Sequence, residues 1–212
     1  MRAILYVDGF NLYHAIDDLK DDRLKWLSLR SLAERIIQKK SETLAGVVYF
    51  SAYAHFRTPK DPSVVQRHRH YVAALQSTNV EIIMGNFKTK PKQCRKCFTR
   101  WEAHEEKETD VNIAVRLVCD AYQDLYDVAY VLSADTDLVP AMKCVRGVIG
   151  KSGTSKQVTA VFPPMQNRNV NSLIQCSDRQ IKLNQNHIIT SRFDDVVLLP
   201  DGSNITCPLK YK

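Results

Sequence analysis

The sequence lacks any long apolar run: across 212 residues no stretch approaches the roughly 20 needed to cross a bilayer. Its first apolar segment is too short for a secretory signal peptide and is broken by Asp8. No membrane partner is expected, and a cytoplasmic location is. Internal repeats and a second-domain linker are also missing. With 44% hydrophobic and 25% charged residues, the composition lacks the polar bias of disordered chains. In a reducing compartment the six cysteines are expected to stay mostly reduced, so a close pair reads as a metal or redox site rather than a disulfide. Acid is scarce in one place. From Phe56 to Arg100 ten Lys or Arg (Arg57, Lys60, Arg67, Arg69, Lys88, Lys90, Lys92, Arg95, Lys96, Arg100) face only Asp61 and Glu81. That segment carries +8 in a chain whose total is +7, which leaves the rest at −1. So focused a basic region points to a polyanion, nucleic acid first, against the plainer reading of a solubilising surface.

What is present is organised around Ala3-Ile4-Leu5-Tyr6-Val7-Asp8-Gly9-Phe10-Asn11. Five apolar, β-favouring residues end at a carboxylate, a glycine and an amide, as in a strand buried on both faces of a parallel sheet. Val128-Ala129-Tyr130-Val131-Leu132 ends the same way, in Ser133-Ala134-Asp135-Thr136-Asp137. Ligands of open α/β sheets bind outside the carboxyl ends of the strands, where these acids stand.

In chain order the pattern predicts helices at 12–19, 28–40, 62–76, 110–122, 138–145 and 170–175, alternating with strands at 46–54, 80–84 and 157–162, and an extended piece at 180–183. The helix at 110–122, apolar at Val111, Ile113, Ala114, Val115, Leu117, Val118 and Tyr122, is expected to be largely buried. Residues 86–108, rich in Lys, Arg and Cys, interrupt the rhythm and read as an insertion on the edge or top of the sheet. The fold class is α/β with a mostly parallel sheet. The domain is expected to span 1–162, with 163–212 as an extension packed on it.

Asp8, Asp135 and Asp137 come from strand ends, and Asp110 opens a helix. If the two acidic strands are neighbours, the carboxylates converge. They then repel one another unless a cation holds them, and an all-oxygen set suits Mg²⁺ or Mn²⁺. Such an ion activates water and stabilises charge on a phosphodiester. Asn11, Ser133 and Thr136 are candidates to orient water or a phosphate oxygen. The plainer reading makes each Asp a helix N-cap, with Thr136 or Asp137 capping the next helix.

Tyr6-Val7-Asp8-Gly9-Phe10-Asn11-Leu12, Glu106-Lys107-Glu108-Thr109-Asp110-Val111 and Ser133-Ala134-Asp135-Thr136-Asp137-Leu138 resemble the three motifs of NYN domains, in the right order. The LabA-like branch of that PIN-like nuclease superfamily is the most similar. The resemblance implies a Rossmann-like three-layer α/β/α sandwich and metal-dependent RNA cleavage. It also implies acidic metal-binding positions at Asp8, Asp110, Asp135 and Asp137, with Asn11 as the family's amide.

Gly150-Lys151-Ser152 resembles the end of a phosphate-binding loop, but Val145 stands where that motif needs glycine, and a helix precedes it. Cys94-Arg95-Lys96-Cys97 with His104 offers three ligands for a structural Zn²⁺, with His68 as the candidate fourth. Cys119, Cys144 and Cys176 read as ordinary buried cysteines. The expected activity is ribonuclease action, with Lys88, Lys90, Lys92, Arg95, Lys96 and Arg100 gripping the RNA backbone. The alternative is a non-catalytic RNA-binding regulatory module whose acids hold a structural cation. A phosphoaspartate-type phosphatase would need a second Asp where Phe10 stands. A homo-oligomer is compatible with either leading reading.

Overall fold

The computed structural model describes residues 1–37, 41–164 and 170–212. Its strands and helices in order are β1 (Arg2–Asp8), α1 (Gly9–Asp17), α2 (Leu29–Ile36), β2 (Thr43–Ser51), α3 (Val64–Ser77), β3 (Val80–Met84), β4 (Asn86–Gln93), β5 (Arg100–Lys107), α4 (Thr109–Tyr122), β6 (Val128–Leu132), α5 (Val139–Arg146), β7 (Gln157–Phe162), α6 (Asn171–Gln175), β8 (Arg179–Lys182), α7 (Gln185–Ile189), β9 (Val196–Leu198) and β10 (Asn204–Thr206). The predicted end of the second helix, at residues 38–40, lies outside the described residues.

The central sheet runs β3-β2-β1-β6-β7-β8, with every neighbouring pair parallel. Side chains of a strand alternate between faces, so β1 serves two cores. Leu5 and Val7 pack with Leu29, Leu32 and Leu75 on one side, while Ile4 and Tyr6 pack with Ile113, Leu117 and Met142 on the other. Two helical layers thus sandwich the sheet, and each fully buried Leu or Ile contributes roughly 1.5–3 kcal/mol. The amino ends of the strands are tied by charge. Glu42 is buried, receives the Tyr130 hydroxyl at 2.5 Å and the Arg179 guanidinium at 2.6 Å, and so links β6 to β8. The carboxyl ends remain for a site.

The chain leaves β1 for β2 on one side and later returns through β6 on the other. That makes the β1/β6 boundary the point where the strand order reverses, the place where such sheets bind ligands. The sheet also carries on past residue 162, because β8 pairs with β7 in parallel from Thr159↔Arg179 to Phe162↔Lys182. The last residues pack on the same body: Phe193 lies 5.6 Å from Trp26, ring to ring, and the Ser28 amide donates to the Ser191 carbonyl.

Two expectations are corrected here. Helix α4 buries Ile113, Leu117 and Ala121 but leaves Val111, Val115 and Tyr122 exposed, because one helix face meets the sheet and the stripe opposite faces solvent. Cys119 and Cys144 are likewise exposed, and only Cys176 of that trio is buried. The insertion at 86–108 is an antiparallel hairpin, β4–β5, paired from Asn86↔Lys107 to Gln93↔Arg100.

Candidate active site

Helix α1 begins at Gly9 because the Asp8 side chain caps it, accepting from the Asn11 amide at 2.9 Å. A Cβ on Gly9 would meet the Phe50 carbonyl at 2.5 Å, so this close approach of helix to sheet admits only glycine. The other Asp8 oxygen accepts from the Ser133 hydroxyl at 2.7 Å. Ser133 in turn accepts from the Asp135 amide at 3.0 Å, and Asp135 accepts from the Asp137 amide at 2.9 Å. The Asn11 carbonyl oxygen accepts from the Ala134 amide at 3.3 Å. The loops after β1 and β6 are therefore stitched to each other, as the register Val7↔Leu132 requires of two adjacent strand ends.

Asn11 through its side-chain carbonyl oxygen and Ser133 through its hydroxyl tie the two loops together and so position the acids. Asp135, rather than Thr136 or Asp137, caps the short turn that leads into α5. Thr136 is exposed and carries no cap. Asp8 and Asp135 are both caps, and each also lies within charge-interaction range of other acids.

Burial, opposed by the bonds from Asn11 and Ser133, lifts the Asp8 carboxyl to about 6, and the charges of Asp110 and Asp135 push the same way. Asp110 reaches solvent, yet partial desolvation and the charges of Asp135 and Asp137 hold it above the ordinary range. The same cluster contains Glu106, which belongs to the second motif but has no sequence signal for a role of its own. Burial raises it to about 7, countered by a hydrogen bond from Thr109 at 2.6 Å and reinforced by Asp8 and Asp110. Its place is set by strand phase: it stands two residues from His104 on β5, on the same face.

An all-carboxylate set whose members raise one another's proton affinity is the donor chemistry a hard divalent cation relieves. As the side chains stand, among the described residues no three His, Cys, Asp or Glu groups converge tightly enough to hold an ion. The acids are gathered at charge-interaction range.

The hairpin divides its residues by face. Phe87, Thr89, His104 and Glu106 share one face through the pairs Phe87↔Glu106 and Thr89↔His104. Lys88, Lys90 and Lys92 occupy the opposite face, away from Glu106. There Lys90, Lys92 and Lys107 all pair with Glu105, at 3.1, 3.0 and 3.0 Å. Of the expected phosphate grip, Arg95 and Lys96 lie in the turn and Arg100 begins β5 on the Glu106 face.

The four expected zinc ligands are not brought together. Cys94 and Cys97 sit in the hairpin turn, where the Cys94 amide donates to the Thr99 carbonyl. His104 is four residues beyond the Gln93↔Arg100 pair, roughly 13 Å down the strand at the usual rise. His68 is half-buried in α3, facing the rings of Tyr49 and Tyr53. Spacing along the chain is not distance in a hairpin. The Cys97 thiol is lowered to about 7 by hydrogen bonds, first with Thr99 and then with Cys94.

Both histidines instead line an aromatic cavity of about 290 Å³ beside Gly9 and Phe10, which the sequence did not disclose. His104 stacks on Phe56, with ring centres 4.2 Å apart and planes 15° apart. Phe56 meets Phe87 at 5.0 Å, and Phe87 meets Phe10 at 6.3 Å.

A parallel sheet reversing its order between two acid-tipped central strands defines a Rossmann-like, PIN-like α/β domain with its site at the switch point. The chain belongs to the NYN domain family, which matches residues 2–184 and lies within the PIN-like nuclease superfamily, whose domains act on nucleic acid. It is 27% identical over 205 residues to a protein from Pseudomonas putida named 6-hydroxy-3-succinoylpyridine 3-monooxygenase HspA, with 81% of this chain and 63% of that one covered. The chain thus spans less than two thirds of that relative's length. A crystal structure of a protein of unknown function from Vibrio parahaemolyticus shares the fold, with a TM-score of 0.53 at 17% identity over 87% of this chain and 93% of that one. Among the described residues no helix is long and apolar enough to cross a membrane.

Proposed function

We propose that this chain, as a LabA-like NYN protein, is a metal-dependent ribonuclease. The observation that carries the reading is the gathering of Asp8, Asp110, Asp135, Asp137 and Glu106 at the switch point, with three of them raised by burial and mutual repulsion. Asp8, Asp110, Asp135 and Asp137 would hold Mg²⁺ or Mn²⁺, which when bound supplies an activated water and offsets charge on the phosphate. Asp8 is the fixed member, held by Asn11 and Ser133, and the more exposed acids turn toward it. Glu106, titrating near 7, is suited to take a proton from the attacking water or return one to the leaving oxygen. Arg95, Lys96 and Arg100 grip the backbone in a salt-dependent, sequence-blind manner.

The test is a panel of labelled single- and double-stranded RNA and DNA with Mg²⁺, Mn²⁺ or EDTA. Cleavage of RNA that needs metal and disappears in Asp8→Asn and Asp135→Asn supports the reading, and equal activity in EDTA ends it. RNA that is bound but never shortened, with either metal, supports the non-catalytic RNA-binding module instead. The similarity to a protein named for a hydroxypyridine substrate favours a second reading, in which the chain acts on a small heteroaromatic compound. Inert RNA together with binding of a hydroxypyridine would select it.

A further inference from the structure

We infer that the aromatic cavity beside Asp8 receives one planar nitrogen-heteroaromatic ring, a nucleobase splayed out of the RNA strand whose phosphate lies at the acids. This rests on the ribonuclease reading and names the part of the substrate that reading leaves undefined.

Position comes first. Gly9 and Phe10 border the cavity and directly follow Asp8, while His104 borders it two residues before Glu106 on the same hairpin face. Cavity and acids therefore share their framework, and a nucleotide with its phosphate at one has its base at the other. Size comes second. At about 290 Å³ the cavity lies at the small end of ligand sites, room for one ring system and little more. Chemistry comes third. The stacked Phe56–His104 pair and the edge-on rings of Phe87 and Tyr49 are the surfaces on which unstacked bases settle.

The polar groups inside select a base over a phosphate. Among the described residues the Nε2 of His68 has one hydrogen-bond partner, the Ser51 hydroxyl at 3.5 Å. Burial lowers its pKa to about 4, so at neutral pH the ring offers one donor and one acceptor to a base edge. Of the two cations in the lining, Lys25 is paired with Asp17 at 2.5 Å and with Asp22. Arg57 stands exposed at the cavity, placed for a backbone phosphate.

The experiment measures binding of a short single-stranded RNA to the Asp8→Asn protein, with each nucleotide in turn replaced by an abasic one. One position should weaken binding roughly tenfold more than the others, the scale of a stacked base. That excess should vanish in Ala54→Phe, which narrows the cavity from a half-exposed loop position, and shrink in His68→Ala. Equal loss at every position, with both variants folded and RNA cut by the parent, overturns the base site and leaves the ribonuclease reading standing. A parent that cuts no RNA with either metal, yet shows the one privileged base, keeps the base site and removes the cleavage. Competition separates the two sources of such a ring. Displacement of the RNA by a nucleoside monophosphate supports the base, and displacement by a free hydroxypyridine alone overturns it.

Discussion

Glu105 and Glu106 are neighbours in the chain and opposites in the fold. Glu105, on the outer face of the hairpin, is pulled down to about 2 by hydrogen bonds from Lys92, Lys107 and Lys90. Glu106, on the inner face, is pushed up to about 7 by burial and by Asp8 and Asp110. The same contrast separates the two regions they belong to. The outer hairpin mixes both signs in water, where exposed pairs are worth little and three lysines share one carboxylate. The strand ends concentrate one sign around the buried Asp8, and the unrelieved repulsion is available to a cation or a proton. A dense basic run in sequence is thus partly self-neutralised, whereas a few acids on buried strands are not.

The strongest way to break the comparison is Asp8→Asn. Cleavage should fall by roughly 100-fold or more. The metal-free protein should at the same time gain stability at pH 7, on the order of 2–3 kcal/mol, because asparagine keeps the cap and removes a charge whose carboxyl is displaced to about 6. Urea unfolding beside a cleavage assay checks both. Loss of activity with equal loss of stability would mean that the carboxylate is structural.

Next comes pH. Asp8 and Glu106 bind their protons more tightly folded than unfolded, at about 6 and about 7 in the fold. Their contribution is therefore fully present below about pH 4, the ordinary carboxylate value. It declines as pH rises, first through Asp8 and then through Glu106. Metal-free protein should be more stable at pH 5 than at pH 7.5, and millimolar Mg²⁺ or Mn²⁺ should restore stability at pH 7.5 with little effect at pH 5. Thermal melts in EDTA and in metal measure this. Stability independent of metal at both values would show that the acids hold no cation.

A smaller effect distinguishes the two glutamates directly. Glu106→Gln should lower cleavage about 100-fold, at the low end for a proton-transfer group, and shift the acid limb of its pH profile. Glu105→Gln should leave the rate of the bound complex unchanged. It should tighten RNA binding roughly threefold at low salt and steepen the salt dependence, as freed lysines meet phosphate. The smallest effect concerns the hairpin turn. Cys94→Ser should change stability by under about 0.5 kcal/mol, as at other surface positions. Protein purified without a histidine tag should carry no zinc by elemental analysis.

Much of this was legible in the residues. Val80–Met84, Val128–Leu132 and Gln157–Phe162 appear where their apolar runs predicted; the latter two lie inside the sheet, where strands buried on both faces need largely apolar side chains. The cap at Asp8 is a local hydrogen bond and follows from side-chain reach. The hairpin was not legible as strands, since Asn86–Gln93 is almost wholly polar and contains Pro91, so neither alternation nor burial marks it. The exposed stripe of α4 was misread because an apolar helix does not announce which face meets the sheet.

By itself, then, the sequence determined the buried strands, the acids at their ends and the order of the motifs, all properties of short segments whose periodicity and chemistry act locally. Only the tertiary structure decided that Glu106 joins the acids while Glu105 meets the lysines. It also decided that His104 and His68 face a cavity instead of Cys94 and Cys97. Proton affinity and ligand sets depend on distance through space and on exclusion of water, and strand pairing sets both among residues far apart in the chain.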